Sequence, residues 1–135
     1  MNPTMNNGLG QYRSVNAYGA ANGDRLQLIQ TMLDGAMDRL ASARGHVQRQ
    51  ETAAKGEAIG KAIGLIDGLR TSLDKERGGK LAENLDALYD YMMRRLVEAN
   101  LRDDSTRLDE VAGLLDEIRT GWSAIMRNPP QGARS

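Results

Sequence analysis

Cysteine is absent, which removes disulfides, thiolate nucleophiles and Cys-ligated metals from consideration. Phenylalanine is absent too, and the only aromatic residues are Tyr12, Tyr18, Tyr89, Tyr91 and Trp122. A core must therefore be built from Leu, Ile, Val, Met and Ala, a palette that favours helices over strands. Charge of one sign is not in excess either: 18 Lys and Arg balance 18 Asp and Glu. No long-range field draws in DNA, RNA or an anionic membrane, and no nucleic-acid partner is expected. Nowhere is there the run of about 20 apolar residues that a membrane span needs. Met1 to Val15 lack the basic cluster and apolar run of a secretory signal. These absences predict a soluble protein without membrane insertion, and a cytoplasmic location fits the missing cysteine without being required by it. At 135 residues, a single domain burying about two-thirds of its unfolded surface is expected.

What remains is helical periodicity. Residues 1–23 are rich in Asn and Gly and carry isolated apolar residues, including Leu9, Tyr12 and Val15, so they read as a flexible arm. From Asp24, with Gln27 completing a capping box, Leu26, Ile29, Leu33, Ala36, Met37, Leu40 and Val47 recur at helical spacing. This first helix should end between Gly45 and Gln50. A second stripe, from Ala58 to Leu73, predicts a helix over residues 53–75, closed by the reversal that Gly78 and Gly79 permit. A third, from Leu81 through Leu85, Leu88, Tyr89, Met92 and Leu96 to Ala99, predicts a helix over 80–99 followed by polar turn residues 100–105. The fourth begins at a Thr106/Asp109 capping box, runs through Leu108, Val111, Leu115, Ile118, Trp122 and Ile125, and stops before Pro129. The fold class is all-α: an antiparallel four-helix bundle over 24–127, with an arm over 1–23 able to fold back on it and a disordered tail over 128–135.

Catalytic patterns fail one by one. A di-metal carboxylate bundle takes Glu-x-x-His pairs, but His46 is the single histidine and Ala43 precedes it by three. Haem ligation by His46 with Met32 or Met37 would need both ligands from one helix. No Gly-x-Ser-x-Gly turn supports a hydrolase, and neither Gly60-Lys61 nor Gly79-Lys80 is followed by the Ser or Thr of a phosphate loop. Asp34 with Asp38, and Asp86 with Asp90, read as solvated faces, His46 as a surface residue, and Arg94-Arg95 as a helix-surface pair. No enzyme, cofactor or metal is expected.

Surface that could receive a helix is the residue of this elimination. Gly56, Gly60, Gly64 and Gly68 recur every four residues in helix two, where each costs about 0.5–1 kcal/mol relative to alanine. Rows four apart form a ridge, and a ridge without side chains is a shallow channel. Close packing within the bundle is the commoner reason for such a row; a docking groove for a partner helix is the other. Helix three is apolar over more than one stripe, because Tyr91 and Met93 flank the row of Leu88, Met92 and Leu96. Either a neighbouring helix of the same chain or a partner covers that width.

Several segments together resemble one known family. They are Leu28-Ile29 to Gly35-Ala36; Lys55-Gly56-Glu57-Ala58-Ile59 with Lys61-Ala62-Ile63; Leu73-Asp74; Gly78-Gly79 with Asn84-Leu85; Leu88-Tyr89-Asp90-Tyr91-Met92; Ala99-Asn100; Glu110-Val111 with Leu114-Leu115; and Trp122. The likeness to the flagellin export chaperones known as FliS covers residues 12–125. It is most specific from Gly78 to Asn100. The resemblance implies a chaperone that binds the disordered C-terminal segment of flagellin, prevents premature polymerisation, and assists delivery to the gate of the flagellar type III export apparatus. It implies contacts centred on helices two and three, with Ile59, Ile63, Leu88, Tyr91 and Met92 as candidates. It also implies an arm that covers the bundle's own apolar surface, with Tyr12 as the matching tyrosine beside Leu9 and Val15. The expected state is a monomer or weak homodimer; a self-associating structural bundle is the competing reading.

Overall fold

The computed structural model describes residues 21–127, which form four α-helices and no strand. Helix α1 spans Ala21–Gln48, α2 Thr52–Thr71, α3 Lys75–Arg102 and α4 Ser105–Arg127. Connectors of two or three residues force each helix to reverse on the one before it. The neighbours are α1–α2, α2–α3, α3–α4 and α4–α1, so the four close into a ring.

Local chemistry explains the boundaries. The α1–α2 turn is a Schellman closure: Glu51 N–H donates to His46 O at 2.8 Å and Gln50 N–H to Val47 O at 3.1 Å, with Gln50 in the left-handed region usually given to glycine. Helix α1 starts three residues before Asp24, which lies in its first turn and is not its cap. The cap of α4 is likewise Asp104, earlier than the Thr106 read from sequence, because its carboxylate accepts from Thr106 N–H at 2.9 Å.

The largest departure from the sequence reading is at Gly78-Gly79. The chain reverses earlier, over Ser72–Asp74, and Asp74 caps α3 by accepting from Arg77 N–H at 3.1 Å. The glycine pair then breaks the helix just inside its start. Gly79 has φ 52 and ψ −126, a conformation open to glycine but not to residues with a Cβ. Gly78 is needed for space, since a Cβ there would lie 2.7 Å from that of Ala82. Gly79→Ala is expected to cost about 1–3 kcal/mol, read as a lower thermal midpoint.

The core runs along the ring axis. Leu33 and Leu40 of α1, Ile59 and Ile66 of α2, Met92 and Leu96 of α3, and Leu108 and Leu115 of α4 are all sealed from solvent. Each such side chain contributes about 1.5–3 kcal/mol by leaving water. Helices α1 and α2 approach most closely, because Ala36, Ala43, Ala58 and Ala62 keep the seam thin. At Gly35 on the same seam a Cβ would come within 3.2 Å of Leu65 Cδ1.

Candidate functional site

The glycine row of α2 turns outward. A Cβ on Gly60 or Gly64 would meet no atom within 4 Å, and both residues are exposed. Gly56 and Gly68, at the ends of the row, lie under Asn100 of α3 and Met32 of α1. Packing within the bundle, the commoner reason for such a row, therefore accounts for its ends and leaves its middle open.

On the α2–α3 flank, α3 carries exposed aliphatic residues. Arg70 pairs with Asp86 at 2.8 Å and with Asp90 at 3.4 Å, and Gly56 faces Asn100. Helical spacing carries the row Asp86, Asp90, Met93, Val97 and Asn100 along the same flank. Val97 is 49% exposed, and Leu101, one turn on, is 77% exposed. Half-buried Ile63 and Met93 pack onto the core beneath. The α2–α3 flank thus carries exposed glycine on α2 and exposed aliphatic side chains on α3, with the Arg70 ion pairs at its other end. Asp86, read from sequence as solvated, is thus an inter-helix partner of Arg70, whose hydrogen bond is the main cause holding its carboxyl below the usual range.

The five candidate contacts do not form one surface. Ile59 and Met92 lie at 1% and 0% exposure in the protein's own core, because both belong to the inward rows of their helices. Ile63 lies on the α2–α3 flank. Leu88 is half-buried, and Tyr91 points across to α4, where its hydroxyl donates to Glu110 Oε2 at 2.5 Å. Leu9, Tyr12 and Val15 lie outside the described residues. Val97 and Leu101 carry no sequence signal of their own because they sit off the core stripe, and Leu101 falls in a stretch that reads as a polar turn while α3 continues to Arg102.

The α3–α4 flank is a polar lock. Arg95 donates to Glu110 at 2.8 Å and to Glu98 at 3.0 Å, and its guanidinium sits 5.9 Å from the Tyr91 ring centroid. The Tyr91 hydroxyl and then Arg95 hold the Glu110 carboxyl below its ordinary 4.5. A carboxyl lowered in the folded state stabilises fully above its unfolded pKa, and the benefit disappears as pH falls through the folded one. Glu110→Gln should therefore lower the melting temperature near pH 7, with the gap to the parent closing below about pH 4, where Glu titrates.

A second apolar feature is a cleft of about 340 Å³ at one end of the ring. Ile29, Leu73, Leu81, Leu85, Ile118 and Trp122 line it, and the Trp122 indole is fixed by donating to Leu26 O at 3.1 Å. Leu81, assigned to the core stripe by periodicity, is 66% exposed at its rim. Both ends of the described chain emerge here, since the start of α1 packs on the end of α4. Among the described residues no cluster of His, Asp or Glu could hold a metal, and no helix is long and apolar enough to cross a membrane.

Comparison with known proteins decides the lineage. The family model described as flagellar protein FliS matches residues 5–129. The chain belongs to the FliS family. It is 56% identical over 99 residues to the flagellar secretion chaperone FliSB of Pseudomonas aeruginosa, covering 73% of this chain and 79% of that one. The flagellar secretion chaperone FliS of Salmonella typhimurium is 50% identical over 100 residues, covering 73% and 74%. That of Escherichia coli is 40% identical over 104, covering 76% of each.

In this FliS chain the family-like segments have distinct structural tasks. Lys55, in the Lys-Gly-Glu-Ala-Ile run, is 3% exposed; its ammonium donates to Asn100 O at 2.9 Å and to the Asp103 carboxylate. Asp103 in turn ends α3 in a left-handed conformation, φ 50. The end opposite the apolar cleft is thus pinned by a buried cation. His46 sits at this same end, only partly exposed, with Nδ1 2.7 Å from Glu51, so it is an anchor of the turn and no free surface residue.

Proposed function

We propose that this protein is a cytoplasmic flagellar export chaperone, and not an enzyme, that holds the disordered C-terminal segment of flagellin as helices against the outside of its bundle. The secretion-chaperone names of its relatives support the class of function. The mode of binding is supported by the outward, side-chain-free Gly60 and Gly64 on α2 and the exposed Val97 and Leu101 on α3, from which we infer a channel along the α2–α3 flank. Glycine lets a partner backbone come close, and the aliphatic wall supplies area that water would otherwise cover. Ile63 forms the channel's inner margin, and Tyr91 and Leu88 border a second path along α3.

Covering flagellin's apolar helical faces prevents premature polymerisation. Ordering the segment consumes part of the contact energy, so the complex can be released at the export gate. The arm carrying Leu9, Tyr12 and Val15 acts as a lid on the protein's own apolar surface until flagellin displaces it. The free chain is a monomer or weak homodimer.

The test is co-purification of the full chain with flagellin and with flagellin lacking its C-terminal segment. Complex with the first and loss with the second is expected; equal binding overturns the reading. Gly60→Leu with Gly64→Leu, which fills the channel at exposed positions, should weaken the complex at least tenfold while far-UV circular dichroism stays unchanged.

A further inference from the structure

We propose that Lys55 is a positioning residue for partner binding: by tying the last turn of α3 to the first turn of α2, it keeps that turn helical and holds Leu101 outward for the partner. This rests on the α2–α3 channel inferred above and adds the group that shapes it.

Lys55 is the charged member of an apolar row. The inward residues Lys55, Ile59, Ala62, Ile66 and Leu69 of α2 follow one another at helical spacing, and the other four are aliphatic. A buried ion pair is often no more stabilising than apolar side chains of the same volume. Stability alone therefore does not account for an ammonium group sealed into that row.

What the ammonium holds does account for it. It donates to Asn100 O at 2.9 Å and to the Asp103 carboxylate. Asn100 O is among the last carbonyls of α3, which have no N–H of their own helix to accept from, and a cation there also favours the negative end of the helix. Asp103 closes the helix in its left-handed conformation, and its N–H and that of Asp104 both donate to Ala99 O. Leu101 sits between the two contacts of Lys55, directly after Asn100 and two positions before Asp103. Its backbone is thus anchored to α2 from both sides while its side chain faces solvent. A terminal turn without such partners frays, and ordering it on association would consume contact energy. Lys55 supplies that order beforehand.

The test separates positioning from stability. Lys55→Met with Asp103→Asn removes both charges together, so the urea midpoint should stay near that of the parent. Affinity of the full chain for the flagellin C-terminal segment should nevertheless fall about tenfold, the order of losing one covered leucine. Amide hydrogen exchange should quicken at residues 101–104 and stay unchanged in the middle of α3. Leu101→Ser alone should weaken binding to a similar degree, and adding it to the double variant should cause no further loss; a further loss places the effect elsewhere and overturns the proposal. Parent-like affinity in the double variant, with Leu101→Ser still weakening the complex, refutes the positioning role and leaves the channel standing. Parent-like affinity in Leu101→Ser refutes the channel, and the role of Lys55 with it. Should the double variant fail to fold, Asp103→Gly, which suits the left-handed backbone, cuts the carboxylate tie alone. It should quicken exchange at 101–104, and unchanged exchange there overturns the proposal.

Discussion

Met92→Ala should destabilise the protein by about 2–5 kcal/mol, whereas Val97→Ser with Leu101→Ser should leave stability nearly unchanged and weaken the proposed binding of flagellin at least tenfold. The contrast comes from one helix. Met92 is wholly buried, and its truncation leaves a cavity between helices that are already closely seated. Val97 and Leu101 lie five and nine residues further on, facing outward, so their removal costs no packing in the free protein. A covered Val or Leu side chain is worth about 1.5–3 kcal/mol, and about 1.4 kcal/mol corresponds to tenfold in affinity. Urea unfolding reads the first effect, and titration with the flagellin C-terminal segment reads the second. Comparable affinity for the parent and the Val97/Leu101 variant would remove the channel from the binding surface.

The second large effect is expected at the pinned end. Asp103→Asn keeps the shape of the side chain and tolerates the left-handed backbone, but removes the charge facing Lys55. Breaking a buried pair from one side typically costs 3–5 kcal/mol. Here the Lys55 side chain is 4% exposed but that of Asp103 is 65% exposed, so water offsets part of the loss and about 2–3 kcal/mol is expected. Adding Lys55→Met, which keeps the stem and removes the cation, should restore most of it. An additive double variant would show that the two groups stabilise the fold independently.

Much of this was legible from residue order. The periods of Leu33 to Leu40, Ile59 to Leu69, Tyr89 to Ala99 and Leu108 to Leu115 mark the four buried rows, because a helix with one apolar face has few ways to hide it. Boundaries were less legible. Asp24 looks like a cap and is not, since the chain before it is already helical. Gly78-Gly79 looks like the inter-helix turn, yet the turn is made by Ser72–Asp74 and the glycines break the helix inside its start. Either site satisfies the local rules, and the choice belongs to how the helix ends meet.

The candidate contact residues divide along the same line. Ile59 and Met92 are apolar and well spaced, and for that reason they are core. Residue order alone determined the class of fold, the four helices of the described residues and the family likeness, because each depends on local spacing or composition. Only the tertiary structure decided that Gly60 and Gly64 face outward, that Leu101 and Val97 stay exposed, that Tyr91 is tied to Glu110, and that Lys55 is buried against Asp103. A helix carries its apolar stripe in its sequence, but the width of stripe that stays uncovered depends on the size and distance of the neighbour's side chains. Where α2 offers glycine, that neighbour leaves a gap.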